Sequence, residues 1–150
     1  MFKPIAIATA VSGTLDILFA MILTLAFGRE IPNMLRFVAS GPFPSATGMG
    51  TSGAILGLIV HFALMAIMAT AYMMVARHRP HFLAKPLQWG IIYGLATYFV
   101  MNWIVVPLRF HPPLPPKPIS IATQLFAHIV LVGIPMAYIA AHYLKPRAMR

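Results

Sequence analysis

"GTSGAILGLIVHFALMAIMATAYMMVA", residues 50–76, is a run of 27 residues with no Asp, Glu, Lys or Arg, and a single histidine, His61, near its middle. A helix rises about 1.5 Å per residue, and about 20 apolar residues cross the hydrocarbon core of a bilayer. The stretch therefore reads as a transmembrane helix. Composition agrees. A soluble domain carries about 25 % charged residues, whereas this 150-residue chain is 60 % hydrophobic and 9 % charged.

Three further spans flank this one, at about 4–27, 87–108 and 119–144. Backbone polar groups must be satisfied inside lipid, so each span is expected to be a helix. Short links favour antiparallel neighbours. The expected fold is all-α: one four-helix transmembrane domain over residues 1–150. Lys3 before an apolar stretch resembles the start of a signal peptide, but a cleavable apolar region is about 7–15 residues long. The first span is longer and reads as an uncleaved helix.

Positive charge sets the expected orientation. Lys3, Arg77, Arg79, Lys85, Lys145, Arg147 and Arg150 fall on one side, and Arg29, Arg36, Arg109 and Lys117 on the other. Seven against four places both termini in the cytoplasm. The net charge of +9 is scattered over helix ends instead of forming one basic face. The expected partner is the lipid bilayer, with no nucleic acid. The absence of cysteine excludes thiol chemistry, disulfides and iron–sulfur clusters.

The two outer loops differ. Residues 29–40, "REIPNMLRFVAS", set Ile31, Met34, Leu35 and Val38 at helical spacing. This predicts a short amphipathic helix that lies on the membrane surface or caps the bundle. Residues 109–118, "RFHPPLPPKP", hold five prolines and read as a stiff connector. The chain also carries the marks of a two-fold internal repeat of helix hairpins. "KPIAIATAVSG" at 3–13 pairs with "KPLQWGIIYG" at 85–94, His61 with His128, Ala71-Tyr72 with Ala137-Tyr138, and Pro80 with Pro146. In such a repeat the two histidines are expected to face each other across an axis along the membrane normal.

Five strongly polar residues lie inside spans: Asp16, His61, Asn102, Gln124 and His128. Counting helical rise places all five between the midplane and the outer surface. A polar group in hydrocarbon costs a few kcal/mol, so they are expected to turn inward and meet in a polar pocket. Tyr98, on a small-residue stripe with Gly90, Gly94 and Asn102, is expected to join the five as a sixth, and His61 shares a stripe with Gly53 and Gly57. Such stripes let helices approach closely or leave room for a ligand. The plainer reading is that these polar groups are interhelical hydrogen-bond glue.

Asp16 has three readings. It is ionised and paired with a protonated His61 or His128; or it is neutral and donates a hydrogen bond, since hydrocarbon disfavours charge; or it exchanges a proton during a cycle. The inner halves of the spans offer few polar groups beyond Thr9, Ser12, Thr70, Tyr72 and Tyr138, which points to a pocket open on one side and not to a channel. Two histidines at similar depth also raise haem b, or a metal held by His61, His128 and Asp16. No hydrolytic motif is present, and catalysis is not expected.

The order of features resembles the YagU-like group of small bacterial inner-membrane proteins. It runs from His61 to Tyr72, through Gln88 and Met101-Asn102 to Pro107, then the "PP" outer loop and His128. The resemblance covers roughly residues 58–138. It implies a bacterial inner-membrane location and a role for the histidine positions, and no particular activity. The functional expectation is a non-enzymatic protein that binds a small ligand or lipid, alone, as a homo-oligomer, or as an accessory subunit of a larger membrane complex. The alternatives are a proton- or ion-coupled transporter component using Asp16, His61 and His128, and a haem- or metal-binding redox protein.

Overall fold

Gly28 stops the first long helix. Its φ of +67° suits glycine, and the backbone closes behind it: Gly28 N–H donates to the Leu25 carbonyl and Arg29 N–H to the Thr24 carbonyl, both at 2.9 Å. This paired capping satisfies carbonyls that the end of a helix would otherwise orphan. The structure is a computed structural model and describes residues 1–145. The repeat partner Pro146 and the charges Arg147 and Arg150 lie outside the described residues.

The helix ended by Gly28 is α1 (Phe2–Ala26). After it come α2 (Ile31–Ala39), a 3-10 turn (Pro44–Gly48), α3 (Gly50–Ala76) and a short α4 (Pro80–Ala84). The chain then forms α5 (Pro86–Phe110) and α6 (Pro118–Leu144). Among the described residues there is no strand. α1, α3, α5 and α6 are long and apolar enough to cross a membrane, and the protein is a multi-pass, four-helix membrane bundle. The expected spans agree with these helices to within two residues at each end. Side chains such as Ile22, Ile59, Ile67 and Leu108 point outward and are more than half exposed, as a lipid-facing surface requires.

α5 and α6 each widen into a π-helical segment, Val100–Val105 and Ala127–Gly133. Each segment stops two residues before a proline, Pro107 or Pro135. A proline inside a helix offers no N–H and crowds the carbonyl one turn back. The preceding turn widens in response, which is one recognised way for a helix to absorb the defect.

α1 packs against α3 and α6, and α5 packs along α6. The two hairpins are thus α1–α3 and α5–α6, joined chiefly by α6 on α1. The α5–α6 crossing runs backbone to backbone. A Cβ on Gly94 would strike the His128 carbonyl and Ile129, and one on Gly133 would strike Gly90 and Gly94. At the end that carries the termini, Met65, Tyr72, Met73, Val132 and Met136 form the main core.

At the loop end, α2 caps the bundle. Leu35 and Ala39 are buried, and Ile31, Met34 and Leu35 pack with Ile17, Ala54 and Leu58. Of the two expected placements for this helix, the structure adopts the cap. Arg109, at the end of α5, holds α2 in place. Its Nε donates to the Gly41 carbonyl at 2.7 Å and a terminal nitrogen donates to the Ser40 carbonyl at 2.8 Å. A cation at a helix C-terminus also answers the helix dipole. Phe37 stacks on Phe110 beside this clamp at 4.5 Å.

Candidate functional site

The six polar residues expected to share one pocket divide among three places. The first is the α1–α3 interface. His61 Nε2 lies 2.9 Å from the Gly13 carbonyl, and its Nδ1 lies 3.9 Å from Asp16 Oδ2. A carbonyl only accepts, so Nε2 carries a proton. Nδ1 then faces a carboxyl oxygen at ion-pair distance. The separation is within ion-pair reach and longer than a hydrogen bond. The structure thereby meets the expectation that Asp16 contacts a histidine, and that histidine is His61.

The second place is the α5–α6 interface. Thr97 Oγ1 donates to the Gly94 carbonyl at 3.0 Å. Its lone pairs remain to accept from His128 Nδ1 at 3.2 Å, which assigns the ring proton to Nδ1. Tyr98 is buried beside this pair, its ring edge-on to His128 at 6.1 Å between centroids. The Tyr98 hydroxyl accepts from Trp103 Nε1 at 3.2 Å.

The third place is a cleft of about 680 Å³ at the loop end, between α1, α5, the proline loop and the start of α6. Asn102 and Gln124 line it, while Asp16, His61, Tyr98 and His128 do not. Asn102 donates to the Tyr98 carbonyl of its own helix at 3.3 Å. The three places are stacked in register. Ala20, Asn102 and Gln124 on the cleft wall each stand four residues, one helical turn, loop-ward of Asp16, Tyr98 and His128. The buried polar layer therefore lies one turn beneath the cleft.

Several expectations are corrected. Each histidine is bonded within its own hairpin, His61 to α1 and His128 to α5, so the pair is not set up as facing ligands. Among the described residues no three His, Asp or Glu side chains could hold a metal ion, which removes the proposed set of His61, His128 and Asp16. Haem b does not fit His61 either, because the Gly13 carbonyl takes its Nε2 and Asp16 faces its Nδ1. The Gly53–Gly57 stripe leaves no room for a ligand. A Cβ on Gly57 would strike the Leu35 carbonyl of α2, and one on Gly53 the Ala46 carbonyl. Those glycines seat the cap.

Three features escaped the sequence reading. Thr97 passes for an ordinary helix residue, although it follows Gly94 by three residues as Asp16 follows Gly13. The π segments were signalled by prolines inside apolar spans. Arg29 and Lys117 counted only toward orientation, yet both line the cleft. Comparison with protein-family models, curated proteins and solved structures finds no match to this chain.

Proposed function

We propose that this chain is a bacterial inner-membrane protein, both termini cytoplasmic, that binds a small amphiphilic ligand or lipid in the loop-end cleft and performs no catalysis. It acts alone, as a homo-oligomer, or as an accessory subunit of a larger membrane complex. The cleft carries the reading. At about 680 Å³ it falls within the range of small-molecule sites, roughly 300–1,000 Å³. Its wall is largely apolar, with Asn102 and Gln124 as the amides that would orient a ligand. The location rests on the excess of Lys and Arg at the termini end and on the resemblance to the YagU-like group. Mass spectrometry of the protein purified in mild detergent tests the reading. A retained amphiphile that disappears when Gln124 is replaced by a bulky residue supports it, and a preparation free of any bound small molecule refutes it.

A second reading is favoured by the Asp16–His61 pair. With Nε2–H held by the Gly13 carbonyl, Nδ1 is the ring nitrogen that faces the carboxyl, one turn below the cleft. This is the arrangement a proton-coupled carrier would use. Reconstituted in liposomes, such a protein gives a pH-driven flux that Asp16→Asn abolishes. Equal flux from the two proteins excludes this reading.

A further inference from the structure

The cleft at the loop end is electrically one-sided. Arg29, just past the end of α1, and Lys117, just before α6, both line it, and no acidic side chain does. Glu30, the nearest carboxylate in sequence, lines a smaller adjoining cleft of about 480 Å³ that shares Arg29 with this one, and it accepts a hydrogen bond from Asn33 at 2.9 Å. Neither Arg29 nor Lys117 is in an ion pair with a described residue. Contrast Arg36, which donates to the Gly50 carbonyl at the start of α3 and to the Asn33 amide oxygen, and Arg109, which donates to the Ser40 and Gly41 carbonyls just past α2. Two of the four loop-end cations therefore serve structure, and the other two are left at the cleft.

Much of the cleft wall is apolar. Leu23 and Phe27 of α1, Val106 of α5 and Leu114 of the proline loop form much of it. Arg29 and Lys117 stand where two spans meet water, at the height of lipid head groups. A ligand matching this surface has a negative head and a hydrocarbon body, and the bilayer supplies that chemistry directly. We infer that the cleft takes an anionic phospholipid, its phosphate set between Arg29 and Lys117 and the upper part of its chain laid against Leu23, Phe27 and Val106. The inference rests on the cleft-binding reading above and names the class of ligand for that site.

The test is lipid retention by the full chain in native mass spectrometry. The protein is equilibrated with equal amounts of dioleoyl phosphatidylglycerol and dioleoyl phosphatidylcholine, which share their chains and differ in head-group charge. A cation near the surface contributes about fivefold in affinity for anionic lipid. Wild type is expected to keep phosphatidylglycerol at least tenfold better. Arg29→Gln with Lys117→Gln should lower that preference to near unity, each single change giving an intermediate value. Arg79→Gln with Lys85→Gln, at the opposite end, should leave it intact. Helix content by circular dichroism confirms that each variant is folded. Equal retention of the two lipids by wild type overturns the inference while leaving the cleft reading standing. Retention of neither lipid overturns the inference, and it overturns the cleft reading as well when the purified protein carries no other bound amphiphile. A preference that survives in the Arg29/Lys117 double variant, or vanishes in the Arg79/Lys85 variant, overturns the inference by moving the anion site elsewhere.

Discussion

Asp16 and Thr97 hold the same place in the two hairpins. Each follows a glycine by three residues, Gly13 or Gly94, and each faces the histidine of the next long helix. The separations are 3.9 Å for Asp16 to His61 and 3.2 Å for Thr97 to His128. The second hairpin thus shows what the motif needs for packing alone: a hydroxyl that closes on its own helix and receives one N–H. The first hairpin puts a carboxyl there, and neither carboxyl oxygen is used to close the backbone of α1. An acid costs more than a hydroxyl in this setting, so its presence argues for a task beyond holding two helices together.

Asp16→Thr should therefore be tolerated. It places the second hairpin's residue in the first, and interhelical hydrogen bonds in membranes average about 0.6 kcal/mol. Thermal unfolding in detergent is expected to change by about 1 kcal/mol or less. A loss above about 3 kcal/mol would make the acid a structural requirement.

His61→Ala should cost more, about 2–4 kcal/mol, because it opens a cavity and strips both the Gly13 carbonyl and Asp16 of their partner. Adding Asp16→Asn to His61→Ala should then cost less than the two single effects combined, since both changes act on one pair. A double-mutant cycle by denaturation measures this coupling. Strict additivity would mean that the 3.9 Å approach carries no energy.

The fold was legible because its signals are redundant. Hydropathy, span length and charge at the ends all mark the same four helices, and the α2 stripe of Ile31, Met34 and Leu35 is plain at helical spacing. The site was legible only in depth. Helical rise put Asp16, His61 and His128 in one layer, but rotation about each axis decides which groups touch, and small-residue stripes fix rotation poorly. Gly57 illustrates the difficulty. A glycine reports that something comes close without saying what, and the close neighbour is the Leu35 backbone and not a ligand. α4 was missed because five residues are too few to display a period. The π segments shift the register of α5 and α6 and so displace any face drawn with a 3.6-residue repeat.

Gly57→Ala tests the seating of α2. Its methyl group would meet backbone, the Leu35 carbonyl, which cannot swing aside as a side chain can. The cap must lift, at a cost of about 1–3 kcal/mol, and residues 28–49 should become more sensitive to limited proteolysis. Gly48→Ala is the control, since an added Cβ there meets nothing within 4 Å. Equal protease sensitivity in the two variants would contradict the packing of α2 on α3.

Ala20→Phe separates the two functional readings. Ala20 lines the cleft one turn loop-ward of Asp16 and is half-buried. A phenyl ring there fills space between α1 and the start of α6 without touching the Asp16–His61 pair directly. If the cleft is the binding site, the variant should fold with wild-type helix content yet lose its retained amphiphile in mass spectrometry. A proton path entering from the loop end would have to pass the same point, so flux should fall together with retention if the cleft feeds Asp16. Should retention vanish while flux persists, the buried pair draws its proton from elsewhere, and the cleft and the acid serve separate ends. Should retention stay at the wild-type level, the bound amphiphile lies outside the cleft and the binding reading loses its support.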